Sequence, residues 1–383
     1  VFRQHSVRRV IMMRSIIYTA CNLCTAVTFL IISTAIVFAQ SAGTVSTDSA
    51  PAVGQIVFVQ GSVEIVRSGE TLSTVAIGDP VNDLDQVRTG DDGQIQIQTN
   101  PDSGAGATIT VSPDTTFTFN MNDVSVPNVH ALDLMDGSLA MEVSKLVSGQ
   151  VMNVDTGTAV MGIRGTVLNV AAESTGDVLL TVSEGKVDCT TDDGNTLYAE
   201  PGTIVQDVNE SWGNQNVPAA QLATFREDWR ARRLAYFEAH APVILQRMST
   251  RYRNQRVLFD TEYNRLMHNR LLIDRMLRAE NSGNLTTAEF DRIHRIIGRQ
   301  LALVHRRLLQ FEHIFFRTRR VERLTSSGTV KLSDPAAVAE ANALFSEVDT
   351  DRQTYAEKIR QVRQLLVAER RHLRAATLQN RGN

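Results

Sequence analysis

Cysteine is nearly absent, with three in 383 residues, and two of these, Cys21 and Cys24, lie inside one uncharged stretch near the amino end. Once that stretch is removed Cys189 is the only thiol left, which excludes an internal disulfide and a cysteine metal cluster and leaves it as a small strand residue. Of the eight histidines only His130 lies between residues 40 and 217. In the helical part His305 and His313 are eight apart rather than the four of a two-histidine metal face; His268 and His294 lie apart from them in sequence. The chain has no G-x-S-x-G, no H-E-x-x-H and no phosphate loop. The acidic turns 83–85, 91–92 and 192–194 lack the EF-hand spacing and read as solvated acids. The expectation is a protein that is not an enzyme and holds no cofactor and no metal.

Charge is present but unevenly placed. The formal net charge of −3 divides into about +4 over residues 1–39, from Arg3, Arg8, Arg9 and Arg14, about −19 over residues 40–217 and about +12 over residues 218–383, where 28 arginines face two lysines. Such a division is a clue to partners and to contact between the two parts. At the amino end, Ile16 to Phe38 is free of charge, follows Arg14, and runs into Val37-Phe38-Ala39 and Gln40. Small residues at the −3 and −1 positions point to a secretory signal over residues 1–39 cleaved between Ala39 and Gln40, giving a periplasmic or secreted protein. The alternative is that the 23 uncharged residues span the inner membrane as an anchor. Residues 40–53, rich in Ser, Thr, Ala and Gly, read as a linker.

From Gly54 to residue 210, short runs of Val, Ile, Thr and Phe alternate with polar residues between glycine turns, so this region is expected to be all-β with a dozen or so short strands. Its centre is Ala159 to Val170, where Gly162-Ile163-Arg164-Gly165-Thr166 separates two strands; the glycines let the backbone bend there. Arg164 is expected to cap carbonyls or pair with a carboxylate inside the β core.

Gly78-Asp79, Asp85 to Gly90, Val111 to Thr115, Asp136 to Leu139, Asn153 to Thr156, Ile163 to Thr166 and Val182-Ser183-Glu184-Gly185-Lys186-Val187 follow one another in an order that resembles the FecR domain, a bacterial extracytoplasmic β module. The resemblance implies a sandwich-like or twisted, solenoid-like stack of strands that binds or relays. It marks Gly162, Ile163, Arg164, Gly165, Thr166, Glu184 and Gly185 as family-motif residues of structural importance. FecR relay proteins also carry an anti-sigma domain before the membrane segment and a small α/β domain after the β module. The sequence as given shows neither, so direct control of a sigma factor is not expected.

Residues 211–218, with Gly213, Asn214 and Asn216, read as a second linker. Residues 219–383 read as an Arg-rich antiparallel helical bundle or coiled coil. A first helix runs from Ala219, bent or restarted at Pro242, to about Glu280. A second opens on the capping box Thr286 to Glu289, and a third on Asp334-Pro335. Ile297, Leu301, Val304, Leu308, Phe311 and Phe315, with Tyr355, Ile359, Val362 and Leu366, step by three and four as a seam. The arginines read mostly as a solvated face paired with Glu, and export argues against nucleic acid. The expectation is an exported cell-envelope FecR-domain protein that acts as a binding or scaffold module for an envelope protein or polymer and self-associates through its helices. The alternative is a membrane-anchored signal relay.

Overall fold

The computed structural model describes residues 52–100, 106–121, 129–144 and 151–381. The expected leader, its cleavage point at Ala39 and Gln40, and most of the first linker lie outside these. Among the described residues no helix is long and apolar enough to cross a membrane.

Alternation of Val and Ile with polar residues makes strands with one buried face, as in Gln94–Thr99, where Ile95 and Ile97 are fully buried between exposed or half-buried glutamines. Strands of this kind run β1 (Ala52–Gln60), β2 (Val63–Arg67), β3 (Glu70–Thr71), β4 (Pro80–Asn82), β5 (Gln86–Thr89), β6 (Gln94–Thr99), β7 (Ala107–Val111), β8 (Thr116–Asn120), β9 (Val129–Val143), β10 (Val151–Asp155) and β11 (Ala159–Ile163). They continue as β12 (Val167–Ala172), β13 (Val178–Glu184), β14 (Val187–Thr191), β15 (Thr196–Ala199), β16 (Thr203–Asp207) and β17 (Trp212–Asn216). The pairings define two sheets that share one strand. Sheet A runs β4, β1, β6, β7, β9, β12, β13, β16, β17, and sheet B runs β3, β2, β5, β8, β9, β10, β11, β14, β15. All pairs are antiparallel except β9 with β10.

The shared strand explains the architecture. The first half of β9 pairs in sheet B and its second half in sheet A, with the change at Asp136-Gly137. Gly137 has φ 98°, and a Cβ there would stand 2.5 Å from Thr115 Cα, so the strand can bend over its neighbour only at a glycine. Between the sheets lies one apolar core that includes Ile56, Ile97, Phe117, Leu134, Met161, Val170 and Val187. The expected all-β sandwich is therefore the fold, with one correction. The stretch 211–218 is no linker: Trp212–Asn216 pairs with β16, and Val217 is buried. The asparagines and glycine that suggested a linker are the sparse side chains of an edge strand.

The helices are α1 (Leu222–Met267), α2 (Arg270–Asn281), α3 (Thr287–Ser326) and α4 (Pro335–Arg381). Within α1 the backbone leaves helical geometry at His240, where φ is −123° and ψ 19°, because Pro242 has no N–H to offer the preceding turn. The first helix ends at Met267 rather than running on to Glu280, with a break at His268 and Asn269. Thr286 Oγ1 accepts from the Glu289 N–H at 3.3 Å and Asp334 Oδ1 from the Ala336 N–H at 2.7 Å, which are the two expected caps. The seam is closed inside the chain: Ile297, Leu301, Val304, Leu308 and Phe311 pack with Tyr355, Val362 and Leu366 and with Leu245, Tyr252 and Phe259 of α1. Phe311 stacks on Phe259 with centroids 5.7 Å apart and tilts against Tyr355 at 5.0 Å.

The described residues belong to one compact unit. Ala171, Leu179 and Ile204, on the outer side of sheet A, share a small apolar cluster with Val217, Leu222 and Trp229 at the start of the helical part. Helices α3 and α4 reach the strands of sheet B.

Candidate functional site

The family-motif residues occupy a crossing between the sheets. The chain leaves sheet B at Ile163, the end of β11, and enters sheet A at Val167, the start of β12, so Arg164-Gly165-Thr166 is the connection. The chain returns from sheet A to sheet B through Gly185 between β13 and β14, and the two crossings lie against each other. Gly165 and Gly185 have φ 60° and 84°, and a Cβ on Gly185 would meet Thr166 Cγ2 at 2.5 Å. Thr166 is buried, and its carbonyl accepts from the Val143 N–H at 2.9 Å. Ile163 is in the core, whereas Glu184 is exposed. Gly162 is not crowded, since a Cβ there would meet nothing nearer than 3.8 Å.

Arg164 does not lie inside the β core. It is exposed, on the outside of the crossing, and makes no hydrogen bond or ion pair with the described residues. The turn holds its backbone outward, and the space that its fork was expected to fill belongs to Ile163 and Thr166.

The arginines that are buried against the β region come instead from the helices. Arg317, 6% exposed, donates through Nε to the Met135 carbonyl at 3.2 Å and through Nη2 to the Thr156 carbonyl at 2.8 Å. Arg363 donates to Glu312 at 2.7 Å with both side chains buried, and Arg370 donates to Asn120 Oδ1 at 3.0 Å beside the buried Asp83. Arg320 donates to the Asp114 carbonyl at 2.7 Å and stands 3.7 Å from Asp136. Burial pushes the Asp136 carboxyl up to about 7, against the pull of Arg320, and burial beside Arg317 holds the His313 imidazole down to about 3.

The turn acids divide in a way their spacing did not show. Asp83 and Asp85 are buried, and Asp85 takes both arms of Arg67 at 3.0 and 2.7 Å, so these two are structural rather than solvated. Asp92 stays at the surface and accepts from the Ser62 N–H at 2.9 Å; Asp193 closes its own turn on Asn195. Cys189 is fully buried on β14, where burial alone pushes the thiol up to about 12, in keeping with an inert strand residue.

A cleft of about 970 Å³ lies between β2, β5 and the facing sides of α3 and α4. Arg88, Arg319, Arg320, Arg323, Arg352 and Arg363 line it, against the acids Glu64, Asp91, Asp114 and Glu312. Phe315, Phe316, Leu324, Tyr355 and Ile359 give it an apolar wall. Arg88 lays its guanidinium 4.9 Å from the Phe316 ring centre and binds Gln86 Oε1 at 2.9 and 2.6 Å. Its nearest carboxylate is Glu64 at 4.0 Å. Arg352 is exposed and makes no ion pair with the described residues. A second cavity, of about 310 Å³, is lined by Asp177, Asp192, Asp193, Asp207 and Glu210 together with Arg247, Arg251 and Arg317. Among the described residues no group of His, Cys, Asp or Glu has the arrangement of a metal site. Neither cleft was visible to sequence reasoning, because each is made by residues from both regions.

A two-sheet β domain sharing one bent strand and clamped by a long-helix bundle defines the class of protein. Residues 85–188, from the turn before β5 into β14, match the profile of the family described as FecR protein. No curated protein matches the chain. Two crystal structures of a candidate anti-sigma factor from Parabacteroides distasonis ATCC 8503 are similar to it, each at 16% identity with a TM-score of 0.31. The match covers 37% of this chain and 63% of that one, so the chain spans less than two thirds of the length of the structure it resembles.

Proposed function

We propose that the chain is a non-enzymatic, exported cell-envelope protein in which the FecR domain and the helical bundle together form a binding or scaffold module. The observation that carries this reading is the large cleft built jointly by the two parts, held open between helices that are fastened to the FecR domain by Arg317, Arg320, Arg363 and Arg370. Its arginines and aromatic rings are side chains suited to recognition. The uncharged stretch Ile16 to Phe38 ending in Val37-Phe38-Ala39 supports export.

The same stretch supports a second reading, a membrane-anchored relay that senses an extracytoplasmic partner, because 23 uncharged residues are long enough to span a bilayer. Amino-terminal sequencing of the protein recovered from cell envelopes separates the two. Gln40 as the first residue, in the soluble envelope fraction, is expected; an uncleaved chain that stays with the inner membrane favours the relay, and a chain found only in the cytoplasm refutes both.

A further inference from the structure

We propose that the cleft between the FecR domain and α3–α4 binds an anionic amphiphile, a small molecule whose phosphate or carboxylate head is held by Arg88 and Arg352 and whose apolar body lies on Phe315, Phe316, Leu324 and Ile359. This deepens the binding-module reading and rests on it.

The first argument is charge. Six arginines line the cleft against four carboxylates, and the pairing among them is unequal. Arg363 is spent on Glu312 at 2.7 Å, Arg319 on Glu322 and Asp349 at 2.6 and 2.7 Å, and Arg320 on Asp114 at 3.2 Å. Within 4.0 Å Arg88 has only the half-exposed Glu64, and Arg352 has no carboxylate that near among the described residues; Glu312 draws Arg88, and Arg352 draws Glu322, from farther off. Arg88 is also crowded by its own kind. Burial first, then Arg363, and more weakly Arg352, hold its guanidinium down to about 10 despite the pull of Glu312 and Glu64. Like charges gathered in a partly desolvated place are costly, and an anion between them removes the cost. Arg88 is already oriented by its two bonds to Gln86 and by the Phe316 face, so little freedom remains to be lost when a head group arrives.

The second argument is shape and polarity. The volume of about 970 Å³ is that of a pocket for a drug-sized ligand, and one wall is apolar while the other is cationic. A bare anion would leave the ring faces of Phe315 and Phe316 wet. A neutral lipid would leave Arg88 and Arg352 unpaired. Only a molecule with both ends satisfies both walls.

The test uses the full chain and three probes below their micelle concentrations: dodecyl phosphate, inorganic phosphate and the neutral dodecyl maltoside, followed by calorimetry. Dodecyl phosphate is expected to bind saturably, one per chain, on the order of tenfold or more tighter than either other probe. Arg352→Glu, a surface change that should leave the melting temperature in place, is expected to weaken dodecyl phosphate by on the order of tenfold while leaving dodecyl maltoside as it was. Phe316→Ala should weaken dodecyl phosphate and leave inorganic phosphate unchanged. Equal binding of inorganic phosphate, binding unaffected by Arg352→Glu, or no saturable binding at all would each overturn the proposal. None of these outcomes bears on where the mature chain resides, so the module reading stands or falls separately.

Discussion

The interior of the β sandwich and the seam where the helices meet it are both buried, yet they are built from opposite materials. Between the sheets lie Ile, Val, Phe, Leu and Met with no charge among them, and any side chain that fits will do. At the seam lie Arg317, Arg363, Arg370, Glu312, Asp83 and Asp136, each 6% exposed or less, beside Leu84, which is buried in the bundle's apolar core, and with a small apolar cluster around Trp229 on the far side. An apolar core is tolerant of exchange and vague about register, whereas a buried guanidinium that has lost its carbonyls or carboxylate is heavily penalised. The sandwich therefore supplies cohesion, and the seam fixes one docking position for the bundle. That fixed position is what gives the cleft a definite shape.

The sharpest way to break this contrast is to remove one seam charge. Arg363→Ala should destabilise the chain by about 3–5 kcal/mol, because Glu312 would be left buried and uncompensated with one oxygen already lacking a hydrogen-bond partner. Urea unfolding followed by circular dichroism measures it. Replacing both partners, Arg363→Met with Glu312→Leu, should recover most of the loss; a double variant as weak as the single one would mean that the pair acts through something other than its charges. In the sandwich, Ile97→Val should cost only about 0.5–1.5 kcal/mol by the same measurement.

Next in size is a dependence on pH carried by the seam. Asp136 sits at about 7 in the folded chain, well above the ordinary carboxyl value of 3.8, so the folded state keeps a proton that the unfolded state releases. Between about pH 4 and 7 its contribution to stability must fall as pH rises, by at most about 1.4 kcal/mol per pH unit. His313 works the other way. Held at about 3 against 6.5 when unfolded, it contributes stability that grows from about pH 3 to 6.5. The two partly cancel, which hides both in the parent protein. Asp136→Asn keeps the shape of the protonated acid and removes only its titration, so its stability relative to the parent should improve steadily from pH 4 to 7. A difference that stays flat over that range would show that Asp136 is ionised in the fold by its pairing with Arg320.

The crossing motif shows how far the sequence could be read. Strand alternation, glycine turns and helix caps depend on near neighbours, and the β region, its ordered turns and three of the four helix starts follow from them. What the seam and the cleft need is knowledge of which residues meet across 180 positions or more, as Arg317 meets Met135 and Arg363 meets Leu84, and local pattern carries none of it. The charge division did foretell contact between the two parts, but not its members. Arg233 stands 3.6 Å from Asp177, whereas among the described residues the turn acids Asp91, Asp92, Asp192 and Asp193 form no ion pair with an arginine of the helices. Arg164 misled for a related reason: two flanking glycines say that the backbone is held, not which way its side chain points. Gly185→Ala should cost about 1–3 kcal/mol, since the left-handed backbone is strained for alanine and the new methyl would overlap Thr166. Arg164→Ala should be almost silent, within about 0.5 kcal/mol. A loss at Arg164 as large as that at Gly185 would restore the reading of a buried, paired guanidinium.

The smallest effect belongs to the rim of the seam, and it tests whether charge holds the two parts by attraction at a distance or by fit at contact. Glu210 faces Arg247 at 3.4 Å and Arg251 at 2.5 Å, and all three side chains are about half exposed. Opposite net charges of the two regions would favour approach over a long range, but exposed pairs are screened beyond roughly 8 Å at physiological ionic strength and contribute little when measured. Glu210→Gln should therefore change stability by less than about 1 kcal/mol in low salt, and the difference should vanish in high salt. Arg363→Ala should cost nearly the same in both, because its charge and that of Glu312 are out of reach of counterions. If both variants lost their effect together as salt rose, the seam would be an electrostatic association between two regions with a wet gap, and the fixed position of the bundle over the β sandwich would no longer follow from its buried arginines.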